Sequence, residues 1–245
     1  MYTLFLKEIN SFLSSLIGYI TIIVFLAVIG LFLWVFPMEF NVLDFGFAGI
    51  DGLFILAPWV FLFLIPAITM KMFAEEKKNG TIELLLTKPI NDLSIILAKF
   101  FAGTVLVIFS ILPTLIYIIA VYQLGSPKGN LDLGGIAGSY IGLMFLGGVF
   151  VAIGIFSSSI TNNQIIASII SVLLSAFFYI GFDIITGLGI FGNADLIIKS
   201  FGINSHYVSM ARGVIDTRDV IYYLSAILFF VLLTKISLES RNWKK

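Results

Sequence analysis

Between Glu8 and Glu39 the chain carries no charged residue at all. A run of that length has one ordinary fate, a helix through a bilayer. A hydrocarbon core of about 30 Å takes roughly 20 apolar residues, each rising about 1.5 Å. The first span is read over residues 12–36. It is too long for the apolar centre of a signal peptide and no Ala-x-Ala-like site follows, so it is expected to remain uncleaved. The same ruler predicts five more spans, at 53–70, 100–124, 136–160, 165–182 and 220–233, the last weakly delimited beside Lys235. Composition points the same way: 60% of residues are apolar and 11% charged, where soluble domains carry about a quarter charged. Soluble enzymes, disordered proteins and nucleic-acid binders are thereby disfavoured, and the formal net charge of +0 implies no bulk electrostatic partner. The absence of Cys removes disulfides, thiol catalysis and Cys-ligated metals, and a single His leaves little for a metal cage. The expectation is an all-α integral membrane protein forming a single domain over residues 1–245.

Orientation follows from Lys and Arg. With the N-terminus cytoplasmic, that side holds Lys7, Lys71, Lys77, Lys78, Lys88, Lys99, Lys235, Arg241, Lys244 and Lys245. The other side holds Lys128, Lys199, Arg212 and Arg218. Both termini are therefore expected in the cytoplasm, with Lys99 just ahead of span three. Spans four and five are joined by a tight turn at residues 161–164. The stretch 183–219 is long, apolar and broken by glycines, which suits interfacial or re-entrant helices or a folded external cap.

Residues 72–89 form the most distinctive segment. Asn79-Gly80 favours positive φ and should separate two short helical pieces. Thr81 is placed to cap the second piece, with Glu83 in its first turn. Ile82, Leu85 and Leu86 make an apolar stripe at i, i+3 and i+4. Pro89 ends the piece, and Asn91-Asp92 can cap the next helix. On the residues alone, this segment either docks another protein or lies at the lipid headgroups.

The run Glu76-Lys77-Lys78-Asn79-Gly80-Thr81-Ile82-Glu83-Leu84-Leu85, followed by Pro89, resembles the signature of ABC-2 type permeases. A second likeness runs from His206-Tyr207 through Arg212-Gly213-Val214-Ile215 to Asp219. Within the family, the chain is most similar to the membrane subunit of gliding-motility-associated ABC transporters of Bacteroidetes. The resemblance implies a six-span ABC-2 permease fold, of the type V exporter kind, in the inner membrane. It implies an amphipathic connecting helix over 1–14, with Leu4, Phe5, Phe12 and Leu13 toward lipid or partner and Lys7 and Glu8 toward water. It further implies a coupling helix seated on a separate ATPase subunit, carried here by Glu75, Glu76, Gly80, Thr81, Glu83, Leu84, Leu85, Leu86 and Pro89. ATP and Mg would then belong to that partner, with no cofactor in this chain. A second permease copy or a related gliding-associated membrane subunit would complete the complex, and spans one, two and five would rock to change access.

No G-x-x-x-x-G-K-[ST] phosphate loop occurs, so no ATP hydrolysis by that route is expected of this chain. Ser205-His206 has the composition of a nucleophile and base, but neighbours in sequence rarely face each other and no orienting carboxylate is evident. Ser168, Ser171 and Ser175 share one helix face, which either borders a translocation path or packs closely against another helix, the commoner use. Gly138, Gly142, Gly147, Gly148 and Gly154 invite the packing reading too. Two other function classes stay open: a transporter or channel working without ATP, and a scaffold subunit of a gliding or secretion complex that moves no substrate.

Overall fold

The computed structural model describes residues 1–44, 46–86, 91–189 and 192–240, with only the backbone described for 84–86 and 193. The architecture among the described residues is all helix. A short helix α1 (Tyr2–Leu13) precedes α2 (Leu16–Trp34). The break between them is set by Ser15, whose hydroxyl accepts from the Gly18 amide. Helix α3 (Asp51–Thr69) runs almost without interruption into α4 (Lys71–Lys78). Gly80, at φ 69°, then turns the chain into α5 (Thr81–Leu86), the break that Asn79-Gly80 predicts.

Helix α6 (Asp92–Ile111) starts where Asn91 accepts from the Leu93 amide. A single 3-10 turn at Leu112–Thr114, centred on Pro113, leads to α7 (Leu115–Leu124). Pro113 cannot donate to the helix ladder, so the span bends there rather than breaking. Helix α8 (Leu133–Ile160) is followed by α9 (Gln164–Ala176), a π-helical turn at Phe177–Gly181, and α10 (Phe182–Gly187). Two small helices, α11 (Asp195–Lys199) and α12 (Ile203–Ala211), lead to the last span, α13 (Thr217–Glu239).

Six of these segments are long and apolar enough to cross a membrane: Leu16–Trp34, Asp51–Lys78, Asp92–Leu124, Leu133–Ile160, Gln164–Gly187 and Thr217–Glu239. Their number and order match the expectation, while most ends differ. Span two continues past Met70 as helix, so the first half of the predicted 72–89 loop is its extension. The third helix begins at Asp92 rather than near 100, so Lys99 lies within the helix, near its first end.

The fourth span is the hub. Its apolar window is 78% buried, against 28% for the first span and 22% each for the fifth and sixth. It packs against α3, α6, α9, α12 and α13. Glycine permits this closeness: a methyl group at Gly154 would overlap the Thr69 hydroxyl, and one at Gly138 the Met210 carbonyl oxygen. On the outer spans, Ile165, Ile169, Leu173 and Phe177 expose a continuous apolar edge at helical spacing, the surface a bilayer would cover.

Contacts join α1, α4, the 161–163 turn and the C-terminal part of α13 at one end of the bundle, where Lys7, Lys71, Lys77, Lys78 and Lys99 also lie. This is called the basic end below. Helices α11 and α12 lie at the opposite end.

Candidate functional site

The basic end is organised around a lysine with no exposed surface. Lys99 lies at the start of the third turn of α6, within the apolar run Ile95-Ile96-Leu97-Ala98 before it and Phe100-Phe101 after it. An ammonium group there must be paired, because burying it unpaired costs several kcal/mol. Its Nζ lies 3.0 Å from Glu8 Oε1 on α1 and 3.0 Å from Glu76 Oε1 on α4. It also donates to the Met72 carbonyl oxygen at 2.6 Å. Those three acceptors match the three N–H donors of an ammonium. The Phe73 ring lies 5.0 Å away on the same side of α4, close enough for a cation–π contribution. Lys7, mostly exposed, adds a second cation 3.6 Å from Glu76 Oε1. The second oxygen of Glu76 is buried and has no hydrogen-bond partner among the described residues.

Glu8 was expected to face water with Lys7. The structure corrects this: its side chain is 14% exposed and turned into the bundle. Its partner there is the Lys99 ammonium, 3.0 Å away, which compensates the carboxylate on the inward face of α1. Leu4 on that face is likewise buried.

The root of the α4–α5 segment is tied to the hub by serine chemistry. Ser158, near the end of α8, accepts from the Phe73 amide at 3.0 Å and the Ala74 amide at 2.9 Å, and donates to the Met70 carbonyl at 2.9 Å. The join between α3 and α4 would otherwise leave these groups unsatisfied, and a hydroxyl that both donates and accepts fits it. One residue on, the Ser159 carbonyl receives the Lys77 ammonium and the Ser237 hydroxyl, the latter at 3.1 Å.

Beyond that root the described residues are mostly exposed. Thr81 and Glu83 are exposed, as are Lys78, Asn79 and Gly80, while Ile82 is half-buried against the bundle. Thr81 opens α5 as its first helical residue instead of preceding it, and its hydroxyl reaches back to the Glu76 carbonyl at 3.4 Å. Glu75, Glu76, Asn79 and Thr81 line one side of a polar cleft of about 290 Å³ whose other side is Lys7, Glu8, Ser11 and Phe12 of α1. The backbone of Leu84, Leu85 and Leu86 completes α5, and Pro89 lies outside the described residues.

The serine stripe divides. Ser168 is half-buried and its hydroxyl returns to the Ile165 carbonyl, while Ser171 and Ser175 are buried against the rest of the chain. The face bearing these two is turned toward the neighbouring helices of this chain. Close packing of α9 on α3 and α8 accounts for their small size.

At the opposite end His206 does have an orienting carboxylate, with Nδ1 2.7 Å from Asp219 Oδ1. Ser205, however, donates to the Gly202 carbonyl at 2.8 Å and lies 3.1 Å from the Lys199 carbonyl, and the other ring nitrogen meets the Ser200 carbonyl at 2.9 Å. No nucleophile–base contact is formed, and the cluster is a fastening. Gly213, at φ 81°, lets the chain close against the Gly134-Gly135 backbone, where a Cβ would lie 3.0 Å from Gly134 C.

Lys99 and Glu8 are the residues that sequence reasoning missed as a pair. A lone cation flanked on both sides by apolar residues was the available signal, since such a charge requires a partner from elsewhere in the chain.

These features define a polytopic helical membrane protein with polar clusters at both ends, one of which carries the short α4–α5 segment with an exposed turn. Residues 3–238 match the family described as ABC-2 family transporter protein, and the chain belongs to that family. It is accordingly a membrane permease subunit of an ABC transporter. No curated protein matches it significantly.

Proposed function

We propose that this permease is driven by a separate ATPase subunit that docks on the α4–α5 segment. The observation carrying this reading is the combination of a rigid root and an exposed tip. Ser158 fixes the start of α4 to the hub helix, while Gly80, Thr81 and Glu83 stand exposed beyond it. A lever needs both. Glu75, Glu76, Gly80, Thr81, Glu83, Leu84, Leu85, Leu86 and Pro89 form the coupling set, and ATP and Mg are bound by the partner. The excess of Lys at the basic end supports placing it, with both termini, in the cytoplasm, and the chain in the inner membrane. The exposed apolar edge of α9 supports pairing with a second permease. The likeness of the 76–89 segment supports the narrower assignment to a gliding-associated exporter.

The decisive experiment is co-purification of the tagged chain with its ATPase from native membranes, repeated with Leu85→Asp. Loss of the complex, with the permease still folded, is the expected outcome. An undiminished complex with full stimulation of ATP turnover would count against the docking site.

A further inference from the structure

We propose that Lys99 is a positioning residue that makes α1, α4 and α6 one mechanical unit, so that a push on α5 is carried into α1 and on to span one. The mechanical use rests on the docking reading above; the tether itself does not.

Three observations carry it. The Lys99 ammonium lies on α6, and its two carboxylate partners come from two other helices, Glu8 on α1 and Glu76 on α4, each at 3.0 Å. The third donor closes on Met72 O at the start of α4, so no N–H is left for water. Lastly, α1 continues into α2 through the short Ser15-capped break, and the polar cleft beside the ammonium separates α1 from the end of α4. Open space between the two helices means that apolar packing does not hold them together there. The buried charge holds both to the same atom, and the mostly exposed Lys7 adds only a solvent-screened link to Glu76.

A neutral side chain at 99 leaves two carboxylates facing each other across that cleft, with only the mostly exposed Lys7 ammonium, 3.9 and 3.6 Å away, to offset them. Repulsion then drives α1 away from α4. Replacing Glu8 alone by Gln keeps the volume and the Glu76–Lys99 pair, and removes only the buried ionic contribution of α1, leaving its exposed Lys7–Glu76 contact.

The chain has no cysteine, so spin labels on Ser11→Cys and Asn79→Cys are uniquely placed. Both are exposed and line opposite sides of the cleft. In lipid nanodiscs, without any ATPase, the wild-type background should give one narrow distance distribution. Lys99→Met and Glu8→Gln should each broaden it and move it to longer separations, and the triple variant Lys99→Met, Glu8→Gln, Glu76→Gln should move it part of the way back. An unchanged distribution in Lys99→Met and Glu8→Gln overturns the tether.

A second arm uses the full complex with the ATPase. Glu8→Gln should retain the complex while stimulation of ATP turnover falls on the order of tenfold, within the usual span of a coupling between sites. Full stimulation with a detached α1 overturns the mechanical role. Failure of the wild-type chain to bind any ATPase removes the docking reading and the mechanical role with it, and leaves the tether to be judged by the label distances.

Discussion

The two ends of the bundle are fastened by different means. At the opposite end the polar contacts are spread over several separate groups, with His206 and Asp183 each meeting two partners. Tyr207 on α12 donates to the Phe54 carbonyl on α3 at 2.7 Å, Tyr222 on α13 to the Phe201 carbonyl at 2.6 Å, and Asn204 to Asp183 at 2.8 Å. At the basic end three helices converge on a single ammonium group. Separate fastenings can be lost one at a time. A shared cation cannot, because its removal strands two carboxylates together. The basic end is therefore built to respond as a unit, and the opposite end to stay in place.

The largest effect should come from Lys99→Met. Stranding a buried carboxylate typically costs about 3–5 kcal/mol, which should appear as a marked drop in thermal unfolding temperature in detergent. Adding Glu8→Gln should recover part of that loss. The pair is then strongly non-additive, as residues of one ionic network are. Simple additivity would erase the contrast between the ends.

Tyr207→Phe should come next, at about 1–3 kcal/mol, because the Phe54 carbonyl is left without its donor in a buried place. Burial, helped by nearby Tyr179, holds the Tyr207 hydroxyl well above its ordinary value of 10.0. A group raised in the folded state contributes fully below the unfolded value and loses that contribution as pH rises through the folded one. The difference between wild type and Tyr207→Phe should thus be constant through neutral pH and shrink only in strong alkali. Combined with Tyr222→Phe, with which it shares no hydrogen-bond partner, the costs should add to within about 0.5 kcal/mol.

The six spans, the Asn79-Gly80 break, the Asn91 cap and the short 161–163 turn were legible in the sequence because each is local: a run length, a positive-φ pair, a capping amide. What escaped were relations between distant segments. The partners of Lys99 were hidden because nothing near it in sequence offers a counter-charge; Glu8 is 91 positions away. Glu8 read as water-facing for the same reason. Periodicity put Ser171 and Ser175 on one face but could not say that α3 and α8 cover it. The extension of span two through Lys78 was hidden because Glu75, Glu76 and Lys77 look like a loop until Lys99 and the Ser159 carbonyl are there to receive them.

The smallest effect provides the control. Lys235 and Glu239 on α13 also form an ion pair at the basic end, at 3.6 Å and in i,i+4 spacing, but their side chains are 37% and 43% exposed. Solvent already stabilises both charges, so Lys235→Ala should change stability by no more than about 0.5 kcal/mol, and less at high salt. The contrast with Lys99→Met then isolates burial and sharing, since charge, residue type and end of the bundle are the same. A Lys235→Ala loss as large as that of Lys99→Met would mean that net charge at this end, rather than the three-way contact, is what holds it.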